Sequence, residues 1–111
     1  MKAAQLVEHG FYYLLTFADA EQTVPGVEPM VFLGVDAIPR EAQESERKFW
    51  FQDTVSFARF GNATKYAGPQ DLSKEGCYLR SFPESDIGSD VLDLDGVIAA
   101  LHAAKGRAPS P

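Results

Sequence analysis

Cys77 is the only cysteine in the 111 residues. No intrachain disulfide can form, and secreted domains of this size commonly need such bridges, so the expectation is a reducing compartment, the cytoplasm. Long apolar runs are missing too: nothing approaches the roughly 20 consecutive apolar residues of a membrane helix. Residues 1–10 carry one lysine and no continuous apolar stretch, so a secretory leader is not expected. Positive charge is scarce, with acids outnumbering bases sixteen to ten, a net charge of −6 and a pI of about 4.7. Phosphate backbones and anionic lipid surfaces need the opposite balance, which argues against nucleic acid and membrane as partners. A basic protein is electrostatically favoured.

The residues of catalysis and metal binding are sparse as well. One cysteine and two histidines supply no zinc spacing, and no strand is followed by a phosphate-cradling glycine loop. His9 follows Glu8, but adjacent residues in an extended chain point apart, and no nucleophile with a recognisable elbow accompanies them. His102 reads as a cation near a helix C-terminus. Cys77 sits in a strand-like run beside Tyr78 and Leu79, the setting of an inert buried thiol. The acidic series Glu84, Asp86, Asp90, Asp93 and Asp95 contains a fragment of a calcium loop, Asp93-Leu94-Asp95-Gly96. The first ligand position is then Val91 and the closing glutamate position is His102, so the motif fails at both ends. Helix caps and a solvated loop are the expectation there. No cofactor and no metal are expected.

What the chain has in abundance is aromatic and aliphatic material in short runs: one Trp, four Tyr and eight Phe. Residues 11–17 (Phe-Tyr-Tyr-Leu-Leu-Thr-Phe) are apolar throughout and predict a strand covered on both faces. Pro25-Gly26 and Pro29 predict a loop ahead of a second strand at 30–35. Residues 38–46 are polar without an apolar stripe and read as a solvated connection. A third strand follows at 47–52, with Phe49 and Phe51 on one face and Lys48, Trp50 and Gln52 on the other. Residues 53–61 read as a short helix, opened by Asp53 or Thr54 and closed by Gly61. A fourth strand is expected at 77–82. Val91 and Leu92 read as a bridge into a last helix, capped by Asp93 or Asp95, with a buried stripe of Val97, Ile98, Leu101 and Ala104 and an end at Gly106.

The fold expected is therefore α+β, a mainly antiparallel four-stranded sheet with two helices in the order β-β-β-α-β-α. It forms a single domain over 1–106, with residues 107–111 as a disordered tail. Two short helices cannot cover both faces of such a sheet. If Phe49 and Phe51 meet the helices, Trp50 looks away from them, on an aromatic face that needs cover from elsewhere. That reasoning points to a non-catalytic protein-binding or inhibitor module, of the type of small immunity proteins, engaging a protein partner or its own copy. Its candidate binding residues are Trp50, Tyr12, Tyr78 and Arg80, with Glu84 and Asp86 in the acidic loop. The alternative is a small-molecule-binding domain or enzyme with a pocket between the sheet and loop 62–75, lined by Tyr12, Trp50, Tyr66, Tyr78 and Arg80.

Overall fold

A computed structural model describes residues 1–37, 46–65 and 78–108. The fold is α+β, built among the described residues on one antiparallel sheet with two α-helices. The strands are β1 (Phe11–Phe17), β2 (Pro25–Val35), β3 (Lys48–Asp53), β4 (Leu79–Pro83) and β5 (Val91–Leu92). The helices are α1 (Thr54–Phe60), between β3 and β4, and α2 (Leu94–Arg107), after β5. The sheet has five strands rather than four, in the spatial order β4-β3-β2-β1-β5. The additional strand is the dipeptide read as a bridge: Val91 and Leu92 pair antiparallel with Leu14 and Tyr13. Two residues carry no alternation to read, so only the tertiary pairing defines this strand.

β2 begins five residues earlier than expected and contains both prolines. Proline lacks the N–H that a ladder needs, but the register explains its presence. Met30 pairs with Tyr12 and Glu28 with Leu14, so the odd-numbered residues of β2 turn their backbone groups away from β1. On that side β3 reaches only to Asp53, opposite Met30. Pro25 and Pro29 thus stand where no ladder bond is required. The β1–β2 connection is held by Asp19, whose carboxylate accepts from the amides of Thr23 and Val24, each at 2.9 Å, and from the Thr23 hydroxyl. Those bonds keep its carboxyl below the usual range.

The alternation of β3 is as expected, but the two faces lie the other way round. Phe49 and Phe51 point away from both helices, into a cluster with Tyr12, Leu14, Met30, Phe32, Ile87 and Val91. Residues 1–8, to which the sequence assigned no structural role, cover this face. Met1, Ala3 and Leu6 pack onto it together with Phe82, and the Tyr12 hydroxyl accepts from the Val7 amide at 2.8 Å. Gly88 (φ +95°) lies so close to the Met1 carbonyl that a Cβ at this position would run into the oxygen.

Both helices lie on the opposite face. α1 has the punctuation expected of it, with Asp53 accepting from Ser56 N at its start and Gly61 (φ +80°) at its end. Beneath it, buried Gln52 joins three segments. Its amide donates to Ser56 Oγ and to the Gly61 carbonyl, both at 3.0 Å, and accepts from Ala63 N at 2.8 Å. α2 is capped by Asp93, which accepts from Gly96 N at 2.8 Å. It runs one residue past Gly106, and Arg107, its last residue, donates to the Gln22 carbonyl. The connection at 38–45, Tyr66, Cys77 and residues 109–111 lie outside the described residues.

Candidate protein-binding surface

Of the three aromatic residues expected to anchor a partner, Tyr12 is buried and Trp50 half-buried in their own chain. Tyr12 is a core residue of the face covered by residues 1–8. Trp50 belongs to the helix-side cluster with Leu33, Ala37, Phe57, Ala63 and Leu79. Alternation places Leu33 on the Trp50 face, and a bulge between Phe32 and Gly34 shifts the β2–β3 register so that Gly34 stands opposite Trp50. The Trp50 indole N–H is buried without an acceptor among the described residues. Of the residues expected to line the alternative pocket, Arg80 shares a face with Phe51 and Tyr12, because Phe51 pairs with Arg80, while Trp50, paired with Ser81, is on the other side of the sheet. Residues 66–75 of its loop, Tyr66 among them, lie outside the described residues.

The remaining candidates are at the surface. Tyr78 is 70 % exposed just ahead of β4, and its amide donates to Asp53 Oδ1 at 2.8 Å. Burial raises the Asp53 carboxyl, but the Ser56 hydroxyl and the Tyr78 and Ser56 amides outweigh it and hold the group below the usual carboxylate range. Arg80 pairs with Glu28 at 3.1 Å across β3. Glu84 is bonded to Arg47 at 2.5 Å, so this part of the acidic loop is neutralised within the chain, and Asp86 ends the single 3-10 turn Glu84–Asp86. Exposed ion pairs of this kind contribute little and hold no unmet charge for a ligand. His9 Nε2 lies 2.8 Å from Asn62 Nδ2 and its ring rests on Phe57, a structural contact between the start of β1 and the end of α1. Among the described residues no three His, Cys, Asp or Glu side chains are grouped to hold a metal ion. No helix among them is long and apolar enough to cross a membrane.

The surface that stands out is one the sequence assigned to the core. Of the stripe expected to be buried on α2, Val97 and Ala104 are buried, whereas Ile98 is 47 % and Leu101 37 % exposed. Leu94, one turn before Ile98, is 56 % exposed. At 100° per residue, Leu94, Ile98 and Leu101 form one row, about 160° round the helix from Gly96. Gly96 packs against the Leu92 side chain of β5. The exposed row is therefore on the flank turned away from β5, toward β2, which α2 also contacts. On the helix face of the sheet Phe11 is 61 % exposed, and Val27, opposite Leu15 in the β1–β2 ladder, is exposed as well. α1 begins only at the level of Met30, so among the described residues α2 is the one helix that reaches the β2 segment beyond it. Sequence reasoning missed this surface because it treated the whole apolar stripe of α2 as buried. The stripe from Leu94 to Ala104 spans about 120° of the circumference, the width of an ordinary core-facing stripe, so periodicity alone carried no sign of the exposure. Comparison with known proteins adds no assignment to this geometry: the chain matches no protein-family model, no curated protein and no solved structure.

Proposed function

We propose that this chain is a non-catalytic protein-binding module, of the kind that occupies another protein's surface, and that it docks through the open flank of α2. The observation that carries this reading is the row Leu94, Ile98 and Leu101, exposed together along one flank of α2. An apolar row of this sort, if continuous, is uncommon on a monomer unless something covers it. Each half-exposed aliphatic side chain stands to gain about 1 kcal/mol on full burial, enough for several of them to act together as a binding centre. The net charge of −6 favours a partner with a basic rim.

The test uses Ile98→Glu and Leu101→Glu. Both positions are exposed, so the far-ultraviolet circular dichroism and the unfolding midpoint should stay close to those of the parent chain. A protein retained by the parent chain from native lysate should be lost with either variant, with a drop in affinity of at least about tenfold. Sedimentation at about 10 μM separates a foreign partner from a second copy, since a parent dimer that both variants dissolve identifies the copy. Unchanged retention and unchanged sedimentation in both variants defeat the reading.

A further inference from the structure

The edge of β1 offers a second surface, independent of the α2 flank. β5 pairs with β1 only at Tyr13 and Leu14. One bond further, the Leu15 amide donates to the Asp90 carbonyl at 2.8 Å, and the neighbouring chain then turns off, its Asp90 amide donating to the Asp86 carbonyl at 3.1 Å. Outward backbone groups alternate along a strand, so after residues 13 and 15 the next set belongs to Phe17. The Leu15 carbonyl and the amide and carbonyl of Phe17 thus face outward with no strand beside them among the described residues. Next to them is an open cleft of about 410 Å³, lined by Leu15, Phe17, Asp19, Gln22 and Asp90 among others.

We propose that this gap receives an extended, basic segment of a partner protein, which continues the line of β5 by strand addition. Two observations select that occupant. The backbone groups ask for an extended chain, whose own N–H and C=O complete the ladder. Asp19 and Asp90 line the cleft, and their negative charge asks for cations in the side chains of that segment. The chain's own Arg107 already shows the preference of this corner. Its guanidinium donates to the Gln22 carbonyl at 2.9 and 3.0 Å and lies 5.7 Å from the centre of the Phe17 ring. A second copy of this edge would bring two pairs of carboxylates together, and charge disfavours it.

The experiment titrates the full chain, labelled with ¹⁵N, with an acetylated and amidated hexapeptide of alternating lysine and valine. The expected result is amide shifts concentrated at Leu15, Thr16 and Phe17 and a slowing of Phe17 amide exchange by at least about fivefold at saturation. Asp90→Asn should weaken binding by about threefold or more, and raising salt should weaken it further. A glutamate-for-lysine peptide should not bind. Absence of shifts at millimolar peptide, shifts scattered away from β1, equal binding of the acidic peptide, or an unchanged Phe17 exchange rate would each overturn the proposal. Ile98→Glu should leave this titration unaltered, so its outcome is separate from that of the α2 surface.

Discussion

Replacing Gln52 with leucine is the sharpest test of how the helix-side layer is attached to the sheet. Leucine matches glutamine roughly in volume but has no polar atoms, so packing is nearly preserved while three hydrogen bonds disappear. Ser56 Oγ keeps a partner, because it also donates to Asp53 Oδ1 at 2.5 Å. The Gly61 carbonyl and the Ala63 amide lose the bonds through which Gln52 holds them. Each buried backbone group left without a partner costs about 1–3 kcal/mol. The added apolar burial of leucine offsets roughly 1–2 kcal/mol of that. The net expectation is a loss of about 2–4 kcal/mol, a large share of the roughly 5–15 kcal/mol that holds a small domain together. The melting temperature should fall by roughly 8–16 °C, at about 4 °C per kcal/mol for a chain of this length.

Urea unfolding followed by Trp50 fluorescence is a suitable assay, since this is the single indole and it is on the same face as Gln52. The midpoint should move and the slope should stay constant. Gln52→Glu supplies a second reading. A carboxylate there can still accept from Ala63 N but has no proton for the Gly61 carbonyl, and its burial raises its folded-state pKa. A raised folded pKa means the protonated form is the one the fold tolerates. The variant should therefore be closest to the parent chain below about pH 4, the ordinary glutamate range, and lose ground as pH rises through its folded pKa. If Gln52→Leu unfolds within about 1 kcal/mol of the parent and Gln52→Glu shows no pH-dependent deficit, the three bonds do not hold this layer and the reasoning is wrong.

The remaining predictions concern the other face and the α1 cap. Gly88→Ala places a Cβ against the Met1 carbonyl at a φ of +95°, and should cost about 1–3 kcal/mol by displacing residues 1–8 from the Phe49–Phe51 face; increased binding of an apolar dye at unchanged secondary structure is the readout, and no increase refutes the covering role. Asp53 has a depressed folded-state pKa, so its contribution is present above the ordinary aspartate value of about 3.9 and is lost as pH falls through the folded value. The difference in stability between the parent and Asp53→Asn should therefore be greatest at neutral pH and shrink on acidification, as measured by denaturant midpoints at pH 7 and pH 3; a constant difference refutes it.

What was legible in the sequence was whatever a local rule dictates. β1 carries apolar residues at every position but one and appears over the expected residues, and α1 has its cap and its closing glycine where the pattern put them. What was not legible depended on neighbours distant in the chain. Val91 and Leu92 are a strand because Leu14 and Tyr13 lie beside them, and Pro25 and Pro29 fit into β2 because β3 stops at Asp53. The faces of β3 were separated correctly by alternation, but alternation is symmetric. It says that Trp50 and Phe51 oppose each other and is silent on which of them meets the helices. That choice is made by the connection after Asp53, where Gln52 ties α1 and Ala63 to the Trp50 side.

The cover of the two faces then follows from the amount of chain each can recruit. On the Phe51 side, residues 1–8 are short but sufficient, because Phe32, Phe49, Phe51 and Phe82 already pack on one another, with ring centres 5.2–6.4 Å apart across the strands, and only their outer edges need shielding. On the Trp50 side the helices are offset. α1 starts level with Met30 over β2 and β3, whereas α2 follows β1 from the level of Tyr13, past Leu92, to Phe17 at Arg107. Placed at different levels of the sheet, the two helices leave Leu94, Ile98 and Leu101 of α2 exposed. The exposed surface is thus a consequence of how α1 and α2 are tethered to Asp53 and Leu92. On the docking proposed above, a partner covers the row that α1 and α2 leave exposed among the described residues.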